Sequence, residues 1–136
     1  MRTFFLVLLS AALYALAFPP WNVSVAAWVA LVPFLYILQV FRPRQSLLAG
    51  LLWGTAAIWA VAFWVPAALT LYYQQPLWFG LLFCVFSSVL FWGFFYATFA
   101  ACACWSVART PATLRPLLMA TLWVSCELAR ARLLTG

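Results

Sequence analysis

The residues that could take part in chemistry lie near the end of the chain. Glu127 is the single acidic residue of the sequence, and Arg130 follows it three positions later. Residues spaced i, i+3 share one face of an α-helix, so the two side chains can form an ion pair. Charged groups in apolar segments persist where they are paired or functional. Two interpretations stay open: an ion pair that ends a helix at the membrane interface, or a site where arginine binds an anionic group such as a phospholipid phosphate.

The remaining polar residues exclude several classes of enzyme for this chain acting alone. The sequence contains seven Arg but no Lys, Asp or His. A Ser–His–Asp triad needs His, a paired-carboxylate mechanism needs two acids, and a hard-cation site normally needs more than one carboxylate. The four cysteines come without His or a CxxC pair, so we interpret them as small hydrophobic residues. We therefore expect no catalytic residue, no metal site and no cofactor in this chain.

The elements that carry Glu127 and Arg130 must be membrane helices. The chain is 70% hydrophobic and only 6% charged, against roughly 25% charged in a typical soluble domain. Lipid can cover such a surface if helices or a closed barrel pair every backbone polar group. Stretches such as Leu77–Val85 are continuously apolar and lack the alternation of barrel strands. The predicted fold class is therefore all-α, a multi-pass transmembrane helical bundle.

About five spans are predicted, in a single transmembrane domain that covers residues 1–136. Pro33 and Pro66 predict bends in the second and third spans. Gly50 and Gly54 have the GxxxG spacing that permits close approach of another helix. The predicted spans cover about residues 3–18, 22–41, 46–71, 77–108 and 117–135.

The first span has a second interpretation. Its Ala15-Leu16-Ala17 ending resembles a signal-peptide cleavage site, so removal of the segment stays open. The whole chain downstream is also apolar, which favours an uncleaved first span.

Arginine placement predicts a cytoplasmic N-terminus. The connections at residues 18–21 and 72–76, which would face outwards, carry no charge. The arginines do not form a basic stripe, so nucleic acid is not expected as a partner, whereas membrane phospholipids are. Five arginines would then lie on the cytoplasmic side: Arg2, Arg42, Arg44, Arg109 and Arg115.

Four stretches of the sequence, in order, resemble one bacterial family. The run ELARARLLTG at residues 127–136 resembles the E-x-x-R-[G/S/A]-x-x-x-T-G motif of apolipoprotein N-acyltransferases. The resemblance covers essentially the whole chain. Departures are Pro66-Ala67-Ala68, where the family has a polar stretch, and the end at Gly136, where the family continues. The other similar stretches are LAFPP at 16–20 with AWVALVP at 27–33, GLLWG at 50–54 and WV at 64–65.

The resemblance implies an activity for longer relatives. They transfer an acyl chain from a phospholipid to the α-amino group of the N-terminal cysteine of an apolipoprotein, using a Glu–Lys–Cys triad in a nitrilase-like domain. No part of that triad can be assigned to this sequence, which has no Lys. We therefore expect this chain to be inactive alone and truncated at its C-terminus, with the apolipoprotein bound through the missing catalytic domain.

The expected role is that of the membrane part of the enzyme. The chain would lie in the bacterial cytoplasmic (inner) membrane, anchor the enzyme and help to form its lipid-access pocket. The resemblance implies substrate-binding residues at the outer rim of that pocket, namely Glu127, Arg130 and Thr135.

Two other functions stay open. The chain could be a non-catalytic membrane scaffold for a partner enzyme, since some relatives are associated with polyprenol-phosphate mannosyl transfer. A small transporter is less favoured, because a polar pathway needs several inward polar side chains. The spans offer few of these beyond Thr55, Thr70, Ser87, Ser88 and Thr98.

Overall fold

The computed structural model describes the backbone of residues 2–134 and the side chains of residues 4–134, and this part of the chain is all-helical. The all-α class is therefore confirmed. A π-helical segment, Ser88–Gly93, joins α6 to α7 without a break, and a 3₁₀ turn, Ala112–Leu114, precedes α8. The α-helices are α1 Arg2–Leu16, α2 Ser24–Val29, α3 Val32–Leu38, α4 Pro43–Val61, α5 Val65–Tyr73, α6 Leu77–Ser87, α7 Phe94–Val107 and α8 Arg115–Leu134.

The described residues contain one or two candidate membrane spans. The continuous helix Leu77–Val107, which is 31 residues long, is apolar enough to cross a membrane by itself. The pair α4 and α5 meets the same criterion together but is bent by 51°. The helical stretches Phe4–Leu16 and Ser24–Leu38 are apolar and shorter. The five-span arrangement and its orientation stay predictions.

The bend predicted at Pro66 is confirmed by the 51° angle between α4 and α5, and Pro33 and Pro66 each lie at the start of a new helix. The segment predicted as a second span is broken at Ala30 and Leu31, and Pro33 lies in the first turn of α3. Pro66 likewise lies in the first turn of α5, after the break at residues 62–64. Proline has no N–H to donate, and the first-turn N–H groups of a helix have no intrahelical acceptor, so these positions tolerate it.

Helix α4 is central and packs against α1, α7 and the π-helical segment. Its Trp53 is fully buried and stacks on Phe34 of α3, with ring centroids 5.1 Å apart. The same indole makes edge-to-face contacts with Tyr14, Tyr96 and Trp123, at centroid distances of 5.2, 4.8 and 5.6 Å. One aromatic cluster therefore joins five helices.

A buried hydrogen-bond chain ties the same tryptophan to the break between α2 and α3. Trp53 Nε1 donates to Ser10 Oγ at 2.9 Å, and the Ser10 hydroxyl donates to the Ala30 carbonyl at 2.5 Å. The Ala30 carbonyl at the helix break thus has a hydrogen-bond donor inside the protein, as buried polar groups require.

The close helix approach predicted from the GxxxG spacing is confirmed. A Cβ atom at Gly50 would collide with the backbone carbonyl of Tyr96. A Cβ atom at Gly54 would lie 2.6 Å from the Tyr96 ring and 3.0 Å from the Trp92 carbonyl oxygen. The two glycines therefore let α4 lie directly against α7 and the π-helical segment.

Candidate functional site

Glu127 and Arg130 form the ion pair that their spacing predicts. Arg130 Nη2 donates to Glu127 Oε2 at 2.6 Å, within the last two turns of α8. The side chains are only 20% and 27% exposed for Arg130 and Glu127, respectively. The pair is therefore largely enclosed by protein and is not a loose surface contact.

A tyrosine from another helix holds the second carboxylate oxygen. The hydroxyl of Tyr96, which lies on α7, donates to Glu127 Oε1 at 2.5 Å. Tyr96 is buried, and its ring is fixed by the edge of Trp53 and by stacking on Trp123 at 5.5 Å. Each oxygen of the only carboxylate side chain in the sequence thus has its own donor.

The π-helical segment supplies the surface on which the arginine rests. The Arg130 guanidinium carbon lies 4.5 Å from the ring centroid of Trp92. Such cation–π contacts stabilise a partly desolvated cation by about 1 kcal/mol. Trp92 and Tyr96 are four residues apart, so they share the helix face turned towards α8.

The guanidinium keeps unused hydrogen-bond donors. Arginine has five N–H donors, and Arg130 Nε is buried without a partner among the described residues. Buried donors without partners are uncommon in folded proteins. Arg130 is therefore held through Nη2 and over one face, and its Nε–H has no acceptor among the described residues.

These groups line a cleft of about 400 Å³ between α1, α4, the π-helical segment, α7 and α8. Apart from the polar groups described above, its walls are apolar or aromatic. An apolar groove of about 350 Å³ beyond Trp92 shares Ile58 and Trp92 with this cleft. The cleft is lined by Tyr14, Phe18, Gly54, Ala57, Ile58, Val61, Trp92, Tyr96, Glu127 and Arg130.

Two of the three predicted site residues meet in this cleft. Glu127 and Arg130 line it together, whereas Thr135 lies outside the described residues. Arg132 is exposed on α8. Within residues 2–134, no three His, Cys, Asp or Glu side chains come together as around a metal ion.

Sequence reasoning missed Tyr14, Trp92 and Tyr96. These aromatic residues occur in a chain that is 20% aromatic, so residue type alone does not single them out. The hydrogen bond from Tyr96 to Glu127 spans 31 positions and depends on how α7 packs against α8. The spacing of Trp92 and Tyr96 was the one available local signal.

Comparison with known proteins places the whole cleft inside one recognised domain. The family described as apolipoprotein N-acyltransferase N-terminal domain matches residues 10–136. The chain is also 31% identical, over 140 residues, to the apolipoprotein N-acyltransferase of Geobacter metallireducens. That similarity covers 99% of this chain but 25% of the relative, so the chain spans about a quarter of that protein's length. The chain belongs to the N-terminal domain family of apolipoprotein N-acyltransferases.

Proposed function

We propose that this chain is the N-terminal membrane-domain part of an apolipoprotein N-acyltransferase. It anchors the enzyme in the bacterial cytoplasmic membrane and forms part of the pocket through which lipid acyl chains reach the active site. The reaction transfers an acyl chain from a phospholipid to the N-terminal cysteine of an apolipoprotein. Catalytic residues and the apolipoprotein contact belong to other parts of the enzyme, so this chain alone is inactive.

The observation that carries the proposal is an arginine that lines an apolar cleft and whose hydrogen bonding is only partly satisfied. Arg130 is paired with one oxygen of Glu127 and rests on Trp92, and its Nε has no partner in the described part of the chain. Guanidinium donors suit phosphate oxygens. Apolar walls suit acyl chains, and ligand pockets commonly combine such walls with a few polar groups.

The position of the pair along α8 fits access from the outer leaflet. Arg130 lies fifteen residues after Arg115, at which α8 begins, and this corresponds to about 22 Å along the helix axis. With Arg115 at the cytoplasmic interface, the pair lies in the outer half of a hydrocarbon layer about 30 Å thick. Thr135, five residues later in the sequence, would complete the rim of the pocket.

The proposed orientation has five crossings and a cytoplasmic N-terminus. One contact supports it: Cys104 Sγ donates to the Phe41 carbonyl oxygen at 3.0 Å. This contact brings Phe41, which precedes Arg42 and the first turn of α4 with Arg44, close to the end of α7, after which Arg109 follows. Three arginines on two connections would then share one end of the bundle, as the positive-inside rule favours.

The first experiment is to read the nucleotide sequence beyond the Gly136 codon. An open frame that continues into further spans and a domain with a cysteine nucleophile supports the acyltransferase proposal. A stop codon, with the short protein present in membranes, contradicts it and leaves the scaffold alternative.

The second experiment replaces Arg130 in the protein encoded by the complete reading frame. Arg130→Ala should lower acyl transfer to a lipopeptide with a diacylated N-terminal cysteine by about tenfold or more, because a charged hydrogen bond to phosphate is lost. Arg132→Ala, an exposed arginine on the same helix, is the matched control. If Arg130→Ala left acyl transfer unchanged at an unchanged protein level, the substrate-binding role would be contradicted. The ion pair would then only end the helix at the membrane interface.

A further inference from the structure

The two oxygens of the Glu127 carboxylate accept hydrogen bonds from Tyr96 on α7 and Arg130 on α8. Arginine and carboxylate side chains frequently pair through two parallel hydrogen bonds. Here Arg130 bonds only Oε2 of Glu127, while Oε1 accepts the hydrogen bond of Tyr96. The Tyr96 hydrogen bond thus holds the carboxylate in an orientation in which Arg130 makes one hydrogen bond to it and not two.

In this arrangement the Nε–H group of Arg130 is buried and makes no hydrogen bond in the part of the chain that the structure describes. A rotated Glu127 could supply an acceptor in the two-bond arrangement, but that rotation would move Oε1 away from the Tyr96 hydroxyl. The Tyr96 hydroxyl thus holds Glu127 where the Arg130 Nε–H group has no acceptor among the described residues.

The Tyr96 hydroxyl is held in place by rigid packing. The face and edge of its ring contact Trp123 and Trp53 at centroid distances of 5.5 and 4.8 Å. Gly54 leaves the space beside the ring, since a Cβ atom there would lie 2.6 Å from it. On the other side of the pair, Trp92 supports the plane of the guanidinium.

We propose that Tyr96 is a positioning residue that limits Arg130 to one hydrogen bond with Glu127, so that the guanidinium can bind a phosphate group in the cleft. The inference rests on the proposed function, in which that phosphate belongs to a lipid. Tyr96 does not contact the phosphate itself. It acts by holding Glu127 in the orientation that leaves Arg130 partly unpaired.

A direct test follows the Arg130 Nε–H group by nuclear magnetic resonance. The 136-residue chain is labelled with ¹⁵N-arginine in dodecyl maltoside micelles, and the resonance is assigned by its loss in Arg130→Lys. In Tyr96→Phe, the ring stays but Glu127 Oε1 is released, so the Nε–H resonance should move downfield as it gains that acceptor. Tyr36→Phe removes an exposed tyrosine hydroxyl from α3 and should leave the resonance unchanged.

Three additives distinguish the source of the phosphate. Lysophosphatidylglycerol carries phosphate on an acyl chain, inorganic phosphate carries no chain, and monopalmitoylglycerol carries no phosphate. Lysophosphatidylglycerol should shift the wild-type resonance, and Tyr96→Phe should need an about tenfold higher concentration. An equal shift by inorganic phosphate, with the same dependence on Tyr96, would support the positioning role with free phosphate as the ligand.

The outcomes separate the two proposals. An Nε–H resonance at the same position in Tyr96→Phe and wild type overturns the positioning role of Tyr96. An equal response to monopalmitoylglycerol overturns phosphate recognition. A wild-type resonance that responds to none of the three counts against the proposed role of Arg130, even if Tyr96→Phe moves it.

Discussion

At the scale of single residues, the Glu127–Arg130 ion pair combines a contact within one helix with contacts to Tyr96 and Trp92. The contact within the helix could be predicted, because i, i+3 spacing on one helix fixes which side chains meet. The contributions of Tyr96 and Trp92 could not be predicted. They depend on the packing of α8 against α7 and the π-helical segment, and no local pattern determines that packing.

Removal of the carboxylate should destabilise the protein. Glu127→Ala leaves the Arg130 cation and the Tyr96 hydroxyl without their partner, so we expect the free energy of unfolding to fall by about 2 kcal/mol. Titration with sodium dodecyl sulfate in mixed micelles measures this change. Arg132→Ala, on the exposed side of α8, should change stability by no more than about 0.5 kcal/mol.

A double variant separates charge from packing in this prediction. Enclosed ion pairs can often be replaced by apolar residues of similar volume at little cost. Glu127→Gln combined with Arg130→Met should therefore recover part of the stability lost in Glu127→Ala. Equal stability of Glu127→Ala and wild type would show that the pair contributes nothing to the fold.

At the scale of elements, the sequence predicted that α4 would approach another helix closely, but it did not predict that this helix would be α7. The GxxxG spacing predicted a close approach, and Gly50 and Gly54 provide it. Spacing within one helix cannot say which helix comes close. The π-helical segment was also not predictable, because the apolar run from Leu77 to Val107 contains no proline or charge that marks a change of hydrogen-bond register.

A methyl group at the closest contact should separate these helices. In Gly50→Ala, the new Cβ would collide with the Tyr96 carbonyl, which is backbone and cannot rotate away. We expect a loss of about 1–3 kcal/mol in the free energy of unfolding, as for other overpacked contacts. The same detergent titration measures it.

The control for this variant is an exposed position of the same helix. Ala60 is exposed on α4, so Ala60→Val adds volume where no helix packs and should leave stability nearly unchanged. Equal stability of Gly50→Ala and wild type would mean that α4 and α7 do not need this close approach.

At the scale of the whole molecule, the surface outside the core is strongly apolar. Trp28 is 87% exposed, and Leu117 on α8 is 68% exposed. Large exposed apolar areas mark surfaces that meet lipid or protein. The surface and the membership in a membrane-enzyme family therefore agree, whereas the number of crossings depends on how the short helices α1, α2 and α3 meet the bilayer.

The arginine distribution predicts opposite locations for two connections. Alkaline phosphatase fused after Gln75 should be active, because the uncharged connection at 72–76 is expected outside. Green fluorescent protein fused after Pro111 should fluoresce, because the connection between Arg109 and Arg115 is expected in the cytoplasm. Exchange of the two reporters is the matched control. Active phosphatase at Pro111 would contradict the cytoplasmic N-terminus.

The aromatic cluster around Trp53 also gives the protein an optical property. Phe34, Tyr96 and Trp123 surround its indole with centroid distances of 4.8 to 5.6 Å, in both stacked and perpendicular arrangements. At such distances the electronic transitions of fixed rings couple, which produces a structured near-ultraviolet circular dichroism. Membrane helices can separate while each stays helical, because lipid leaves their backbone hydrogen bonds intact. The near-ultraviolet band would then disappear while the far-ultraviolet band persists, so it reports the assembly of the bundle independently of its helix content.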